Sequence, residues 1–213
     1  MKSISILAAI LILPCVAMAE GKPDGVLETD NVMAYGYLDH YSLKGYYSTD
    51  YSGFGLGINK SVVGTDKFGV NVGFNYEHIV DNSSYYYDDY ENNSYTPSVT
   101  AYLKNGMFLP FVTAEYTYSD SSYYDGSHGR TSWIAAVIGV EMHVMPGWYV
   151  TPRVTLWDRV HSSVDYGSKT FADFALESGY WLTNRIAVFA NANYRNAFGA
   201  RDEWINFGVR MSF

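Results

Sequence analysis

Large apolar residues alternate with small or polar residues along most of the chain. In residues 70–76 every even position is valine, phenylalanine or tyrosine, while every odd position is asparagine or glycine. The same alternation runs through residues 53–59 and 205–213. A period of two residues predicts β-strands with one apolar face and one small or polar face.

Ten segments with this period are separated by two kinds of connection. The predicted strands cover residues 32–41, 53–62, 68–79, 95–104, 107–118, 132–144, 148–158, 169–182, 185–196 and 203–213. Short connections carry turn residues such as Asn105-Gly106 and Pro146-Gly147, whereas the long ones are rich in Tyr, Ser, Asp and Asn. Because the two kinds alternate, all short turns and both chain ends fall at one end of an antiparallel sheet. Membrane-spanning barrels have this arrangement.

The polar face must point inward if the sheet crosses a bilayer. In lipid every backbone amide has to be paired, so a sheet can span only when it closes on itself and turns its apolar side chains outward. The predicted fold class is therefore all-β: a closed antiparallel transmembrane β-barrel of about ten strands, with eight as the alternative. It has short periplasmic turns and long Tyr-rich outer loops. Aromatic residues near the strand ends are predicted to form two interfacial girdles, with Phe68, Phe108, Trp148, Trp181 and Phe213 on the turn side and Tyr76, Tyr116, Tyr118 and Tyr194 on the loop side.

Composition narrows the classes of protein further. The chain has 21 Tyr, 11 Phe and 5 Trp, and its 17% charged residues fall short of the roughly 25% usual in soluble domains. The net charge of −8 argues against a nucleic-acid partner, since phosphate binding needs a basic surface. Beyond the N-terminus no apolar run reaches the roughly 18 residues of a membrane helix.

The N-terminus is typical of a secretory signal. Lys2 precedes an apolar run over residues 4–16, and Ala17-Met18-Ala19 matches a signal-peptidase site. We expect residues 1–19 to be a signal peptide, residues 20–31 a periplasmic N-terminal segment and residues 32–213 the barrel. The only cysteine, Cys15, lies in the signal, so the mature protein is expected to have no disulfide.

The last residues of the chain carry its most specific motif. Asn206, Gly208, Met211 and Phe213 resemble the C-terminal insertion signal of outer-membrane barrels, in which a polar residue, a glycine and alternating hydrophobic residues end in an aromatic residue. With the signal peptide, residues 32–213 resemble the superfamily of small bacterial outer-membrane β-barrel proteins of the OmpA-barrel, Ail and opacity-protein type. Those relatives typically have eight strands, two fewer than predicted here.

This resemblance implies a place in the outer membrane of a Gram-negative-type bacterium. It implies contact with outer-membrane lipid and lipopolysaccharide, and insertion by the barrel assembly machinery. It does not identify a ligand, and no cofactor is predicted.

Several ionisable residues are predicted to face inward, because they alternate with the outward apolar residues of their strands. By this parity they are Glu77, Glu115, Glu141, His143, Arg153, Asp173, Glu177, Arg195 and Arg210. Burying a lone charge is costly, so these groups are expected to pair or to meet water. Glu141, Arg153 and Glu177 lie at similar heights on consecutive strands and are predicted to form a lumen charge cluster. The expected role of the cluster is a salt-bridged plug that closes the lumen, with a selective pore or a proton relay as the alternatives.

Catalytic and metal motifs are weak. His161 and Ser163, followed by Asp173 and Glu177, vaguely resemble the arrangement of outer-membrane lipid A deacylases, but the residues that surround that motif are missing. The acidic residues near 81–91 match no calcium-loop spacing. The protein is therefore predicted not to be an enzyme and to hold no metal.

The longest predicted loop is the best candidate for a binding surface. It carries Tyr85, Tyr86, Tyr87 and Tyr90 among acidic and small polar residues, a mixture typical of binding loops because tyrosine offers a large contact area at low entropy cost. An extracellular surface ligand is therefore a possible partner. The predicted function is that of an integral outer-membrane barrel with a structural or adhesin-like role; a narrow channel or, less favoured, a lipid A deacylase are the alternatives.

Overall fold

The chain folds into ten antiparallel strands. The computed structural model describes residues 26–43, 47–81, 90–123, 126–163, 170–197 and 200–213. The strands are β1 (Asn31–Leu43), β2 (Tyr47–Gly64), β3 (Phe68–Asp81), β4 (Glu91–Leu103), β5 (Phe108–Ser122), β6 (His128–Met145), β7 (Trp148–Ser162), β8 (Thr170–Trp181), β9 (Ile186–Ala197) and β10 (Ala200–Ser212). Within these ranges no helix has the length and apolarity needed to cross a membrane.

The sheet closes on itself. Each strand pairs with its neighbours in sequence, and β1 pairs with β10 from Asn31↔Ser212 to Leu43↔Ala200. Closure leaves no free sheet edge, so the backbone amides of the first and last strands are paired like those of the others. The predicted closed barrel and its ten strands are confirmed.

The two ends of the barrel differ. We call the end that holds residues 26–30, Phe213 and the connections 65–67, 104–107, 146–147 and 182–185 the turn end, and the opposite end the loop end. At the turn end Gly106 and Gly147 have φ angles of 59° and 78°, a left-handed conformation that glycine adopts without strain.

All strands except β8 reach further toward the loop end than their apolar alternation predicted. β2 begins at Tyr47 and β6 at His128, several residues before the predicted starts at 53 and 132. The added residues are mostly polar or aromatic, so they carry no alternating signal. Their backbone groups continue the ladder all the same, because pairing does not require an apolar side chain.

The outside of the barrel is apolar. Every strand exposes at least one large hydrophobic side chain there, for example Leu38, Phe54, Val72, Val99, Val112, Ile134, Leu156, Phe174, Ile186 and Phe207. Soluble monomers rarely expose contiguous apolar patches of more than a few hundred Å². A continuous apolar belt around a closed sheet is the surface of a barrel that faces lipid.

One predicted girdle residue lies inside instead. Trp181 is 0% exposed and packs in a cluster with Tyr149 and Ala187. The prediction that Trp181 faces lipid is wrong, because Trp181 has the same parity on β8 as the inward-facing Glu177. Phe68, Phe108 and Phe213 are exposed on the outside.

Glycines opposite aromatic residues let large rings lie flat against the inner wall. Tyr149 of β7 pairs with Gly179 of β8, and a Cβ at Gly179 would lie 2.6 Å from Tyr149 Cε1. Tyr35 of β1 lies in the same way over Gly55 of β2. These close approaches require glycine and place both tyrosines inside the lumen.

Candidate functional site

The lumen is packed with side chains at the turn end. Nine of the ten strands each contribute a buried residue there, and none of the nine exposes more than 6% of its surface. We call these residues the closing layer: Asn31, Asn71, Tyr102, Leu109, Glu141, Tyr149, Trp181, Ala187 and Arg210. A barrel of this width has room for side chains to fill its interior, and the closing layer does so at one end.

A bidentate ion pair joins Arg210 of the closing layer to Glu177 of β8, two strands away in the sheet. Arg210 Nη1 donates to Glu177 Oε1 at 2.5 Å, and Arg210 Nη2 donates to Glu177 Oε2 at 3.2 Å. Arg210 also donates to the Tyr149 hydroxyl, and its guanidinium lies 4.3 Å from the centre of the Phe189 ring. Such a bidentate arrangement suits the planar guanidinium, which combines hydrogen bonding with stacking. Parity placed Arg210 in the lumen but did not indicate this partner.

The structure brings together only two members of the predicted charge cluster. Arg153 Nη1 lies 3.5 Å from Glu177 Oε2, a contact at the outer limit of a hydrogen bond. Glu141 has other partners, since it accepts hydrogen bonds from the backbone amides of Val26 at 3.0 Å and Leu27 at 3.3 Å. His143 Nε2 also lies 3.0 Å from Glu141.

The residues before β1 are anchored to the turn end. Val26 packs against Tyr149, Trp181 and Ala187, while the Leu27 carbonyl accepts from Asn71 Nδ2 at 2.8 Å. This part of the predicted periplasmic segment therefore adds to the closing layer.

Asp30 ties the end of this segment to β2. Its carboxylate accepts from the Ser61 amide at 2.6 Å and from Lys60 Nζ at 3.1 Å. The Ser61 amide, which is the largest influence, and Lys60 hold the pKa of Asp30 below its usual value.

A second ion cluster lies nearer the loop end. Arg195 Nε and Nη2 donate to the two carboxylate oxygens of Asp173 at 2.7 and 3.0 Å, and Trp157 Nε1 donates to the same carboxylate at 2.6 Å. The guanidinium of Arg195 lies 4.5 Å from the Phe171 ring centre and 5.0 Å from that of Trp204. Both groups of the ion pair are thus satisfied.

A cavity of about 770 Å³ occupies the lumen, and both polar and apolar side chains line it. Its lining runs from Leu27 and Asn31 at the turn end to Tyr41, Asn92 and Ser119 near the loop end. Threonines cover the β4 and β5 wall, where paired hydroxyl groups hydrogen bond to each other across the strands: Thr96 with Thr117 at 2.9 Å and Thr100 with Thr113 at 2.8 Å. The carboxylate of Glu115, the guanidinium of Arg153 and the amides of Asn191 and Asn206 also line the cavity.

The residues of the predicted insertion signal divide between the two faces of β10. Asn206 is buried and lines the lumen, while Gly208 lies so close to Tyr35 that a Cβ would meet the Tyr35 Cβ at 2.6 Å. Met211 and Phe213 are 51% and 62% exposed on the outside. Their role in insertion stays a prediction.

The predicted surface tyrosines are seen only in part. Tyr85, Tyr86 and Tyr87 lie outside the described residues. Tyr90 is half-buried at the loop end, where its ring centre lies 5.7 Å from that of Tyr51 and 5.6 Å from that of Tyr123. Tyr51, Tyr90 and Tyr123 form a group that we call the rim cluster; sequence analysis did not predict their contact.

The residues of the weak deacylase motif do not assemble. His161 and Ser163 are exposed near the loop end of β7, and the Ser163 hydroxyl accepts from the Arg130 amide at 2.8 Å. Asp173 and Glu177 are bound to arginines instead. The described part of the chain therefore holds no serine-histidine-acid arrangement at these positions.

Comparison with known proteins supports the fold. No protein-family model matches the sequence, and no curated protein matches it. The β domain of the Bordetella autotransporter Brka aligns with 87% of this chain and 100% of its own at 12% identity, with a TM-score of 0.54. A NanC porin aligns with 86% of this chain and 100% of its own at 13% identity, with a TM-score of 0.50.

Ail of Yersinia pestis aligns with 87% of this chain and 99% of its own at 12% identity, with a TM-score of 0.42. At such identities a likeness shows the fold alone. The predicted resemblance to outer-membrane β-barrels is confirmed at that level.

Proposed function

We propose that the protein is an outer-membrane β-barrel of a Gram-negative-type bacterium whose lumen is closed at its periplasmic end and whose role lies at the cell surface, as a structural or surface-binding protein. The closing layer is the observation that carries this proposal. Buried aromatic rings, a bidentate ion pair and the anchored residues 26–30 fill the turn end, which faces the periplasm in outer-membrane barrels. A lumen filled in this way favours surface functions over free passage of solutes.

The rim cluster supports a surface-binding role. Tyr51 lies within β2, and Tyr90 and Tyr123 lie beside the ends of β4 and β5. The Tyr90 carbonyl accepts from the Asp81 amide at 3.0 Å. Paired strands therefore hold these aromatic side chains beyond the apolar belt. Rigid aromatic groups bind a partner at a low cost in entropy.

Adhesion of cells that express the protein tests this role. A variant with Tyr85, Tyr86 and Tyr87 changed to Ser is expected to insert normally, because loop tips tolerate change, and to adhere less to cells or matrix proteins. Tyr90→Ser, tested separately, should weaken adhesion by loosening the rim cluster. A matched control is Tyr95→Ser, which alters an outward aromatic residue on the barrel wall.

Folded protein in each variant is measured by its shift in gel mobility on boiling. Adhesion that is absent in the wild type, or unchanged in both tyrosine variants, would leave only the structural role.

A narrow channel is the second candidate, and the cavity that runs along the lumen is the observation that favours it. Conductance in planar bilayers separates the two functions. The closing layer predicts no stable open current from the wild type, and a large steady conductance would contradict a closed lumen. Replacing Trp181 and Tyr149 by Ala should create current if the closing layer is the barrier.

A further inference from the structure

Most charged groups in the lumen have strong partners. Glu177 is bound by Arg210, and Asp173 is bound by Arg195. Glu77 accepts from the Tyr35 hydroxyl at 2.6 Å. These groups already form hydrogen bonds with other side chains of the barrel wall, so they have little hydrogen-bonding capacity left for a ligand.

Glu115 and Arg153 differ from the rest. Within the described residues Glu115 makes no hydrogen bond or ion pair, although its side chain lines the cavity. Among the described residues Arg153 makes one ion pair, to Glu177 at 3.5 Å, and 26% of its side chain is exposed. A carboxylate and a guanidinium that both face the lumen cavity with unused hydrogen-bonding capacity are costly unless water or a ligand meets them.

The register places these two groups on either side of β6. Glu115 of β5 pairs with Ala135, and Arg153 of β7 pairs with Gly139. Val137, which lies between those two β6 positions, is 4% exposed and lines the cavity. Two strand spacings separate the backbones of β5 and β7 by about 10 Å across the sheet, and the four-residue offset between Ala135 and Gly139 adds about 13 Å along the strands. The acidic and basic side chains thus flank a small apolar patch.

Two side-chain amides whose oxygens lack hydrogen-bond partners lie on another wall of the same cavity. Asn191 of β9 pairs with Asn206 of β10 in the register, and these residues are only 4% and 9% exposed. The Oδ1 atoms of both side chains are buried without a hydrogen-bond partner. Buried polar atoms are nearly always satisfied, so these two acceptors indicate a missing donor in the lumen.

We propose that the lumen cavity binds a small zwitterion, an amino acid or short peptide, whose ammonium group meets Glu115 and whose carboxylate meets Arg153. A simple anion would be repelled by Glu115 and a simple cation by Arg153, whereas a zwitterion matches both charges at once. Asn191 and Asn206 line the same cavity, so rotation of either carboxamide would turn its oxygen toward an N–H donor of the ligand. The cavity volume lies within the range of small-molecule sites.

The ligand would enter from the loop end. The cavity lining reaches Tyr41, Asn92 and Ser119 on that side, whereas the closing layer fills the other side. This binding site is independent of the proposed surface role, because none of the groups that form it belongs to the rim cluster.

Calorimetric titration of the full refolded chain in detergent tests the site. The probes are L-alanine and glycylglycine, with propionate and ethylammonium as fragments that carry only one of the two charges. We expect saturable binding of a zwitterion, and at least tenfold weaker binding of each fragment. Tight binding of propionate alone would show an anion site and overturn the proposal, as would the absence of saturable binding by both zwitterions.

Two variants assign the charges. Glu115→Gln should weaken zwitterion binding at least tenfold without weakening propionate binding, because it removes the carboxylate that repels the anion. Arg153→Met should weaken zwitterion binding without weakening ethylammonium binding, because it removes the cation that repels the amine. Arg153→Lys, which keeps the positive charge, should recover part of the affinity. Asp66→Asn, in an exposed turn, is the control for loss of one acidic charge.

Variants that bind L-alanine and glycylglycine as the wild type does would place binding elsewhere and overturn the proposal. Gel mobility before and after boiling checks that each variant is folded. Adhesion is measured in separate assays, so a failure of the surface role is distinguishable from a failure of the lumen site.

Discussion

Replacing Arg210 by methionine tests the buried bidentate ion pair that Arg210 forms with Glu177. Arg210 is 6% exposed and holds both oxygens of Glu177 at 2.5 and 3.2 Å. Methionine keeps the length of the side chain but removes the charge and the donors. Glu177 would then be a buried carboxylate to which Arg153, at 3.5 Å, is the one remaining cation among the described residues. Removing one partner of a buried pair costs about 3 to 5 kcal/mol, because the other charge stays uncompensated.

Arg153→Met gives the contrast that makes this prediction specific. Arg153 was predicted from sequence to be the central cation, yet its one contact to Glu177 is long. Glu177 would keep its bidentate partner in this variant, so we expect a loss of at most about 1 kcal/mol. The double variant Glu177→Gln with Arg210→Met removes both charges and should be more stable than Arg210→Met alone.

Urea unfolding in detergent micelles or lipid vesicles measures these differences. Tryptophan fluorescence and the loss of the fast-migrating folded form on gels report the unfolding midpoint. If Arg210→Met unfolds at the wild-type midpoint, or if Arg153→Met is the more damaging change, the assignment of Arg210 as the main partner of Glu177 is wrong.

Three further predictions concern the turn end of the barrel. Gly179→Ala should lower stability by about 1 to 3 kcal/mol, because its Cβ would overlap the aromatic ring that faces it; Gly64→Ala, whose Cβ meets only one atom at 4.0 Å, is the control in the same urea assay. Asp30→Asn should destabilise the protein at neutral pH. The pKa of Asp30 is lower in the folded than in the unfolded protein, so the ionised carboxylate stabilises the folded state at pH values above the unfolded pKa of about 4. The difference from wild type should shrink as the pH falls below 4 through the folded pKa, and a difference that is constant with pH would refute this linkage. Deletion of Phe213 should reduce folded protein in outer-membrane fractions with little effect on the stability of the protein that does insert, since the ring is 62% exposed; wild-type amounts in the fraction would argue against an insertion role.

Ten strands and their inward and outward faces could be predicted from the sequence because they depend on local alternation. The closed sheet could be predicted because a sheet in lipid must pair every backbone amide. The alternation within each strand indicates which of its side chains face lipid, as in residues 70–76. The inward parity of Glu115, Arg153 and Arg210 followed from the same rule. The rule also applied to Trp181, which was assigned to the outer girdle because it is aromatic and near a strand end. Its burial shows that parity was the better guide.

Only the tertiary structure decided which of these inward groups meet. Glu177 and Arg210 lie 33 residues apart on β8 and β10, and their contact depends on the registers of two strand pairs together with the directions of both side chains. Glu141 accepts hydrogen bonds from the backbone amides of Val26 and Leu27, 115 and 114 residues away. A backbone amide is present whatever the side chain, so the pattern of side chains could not predict these bonds. Alternation is a property of one strand at a time, whereas the closing layer and the lumen cavity are properties of the closed barrel. The sequence by itself therefore determined the wall of this protein, and the closed sheet determined what fills it.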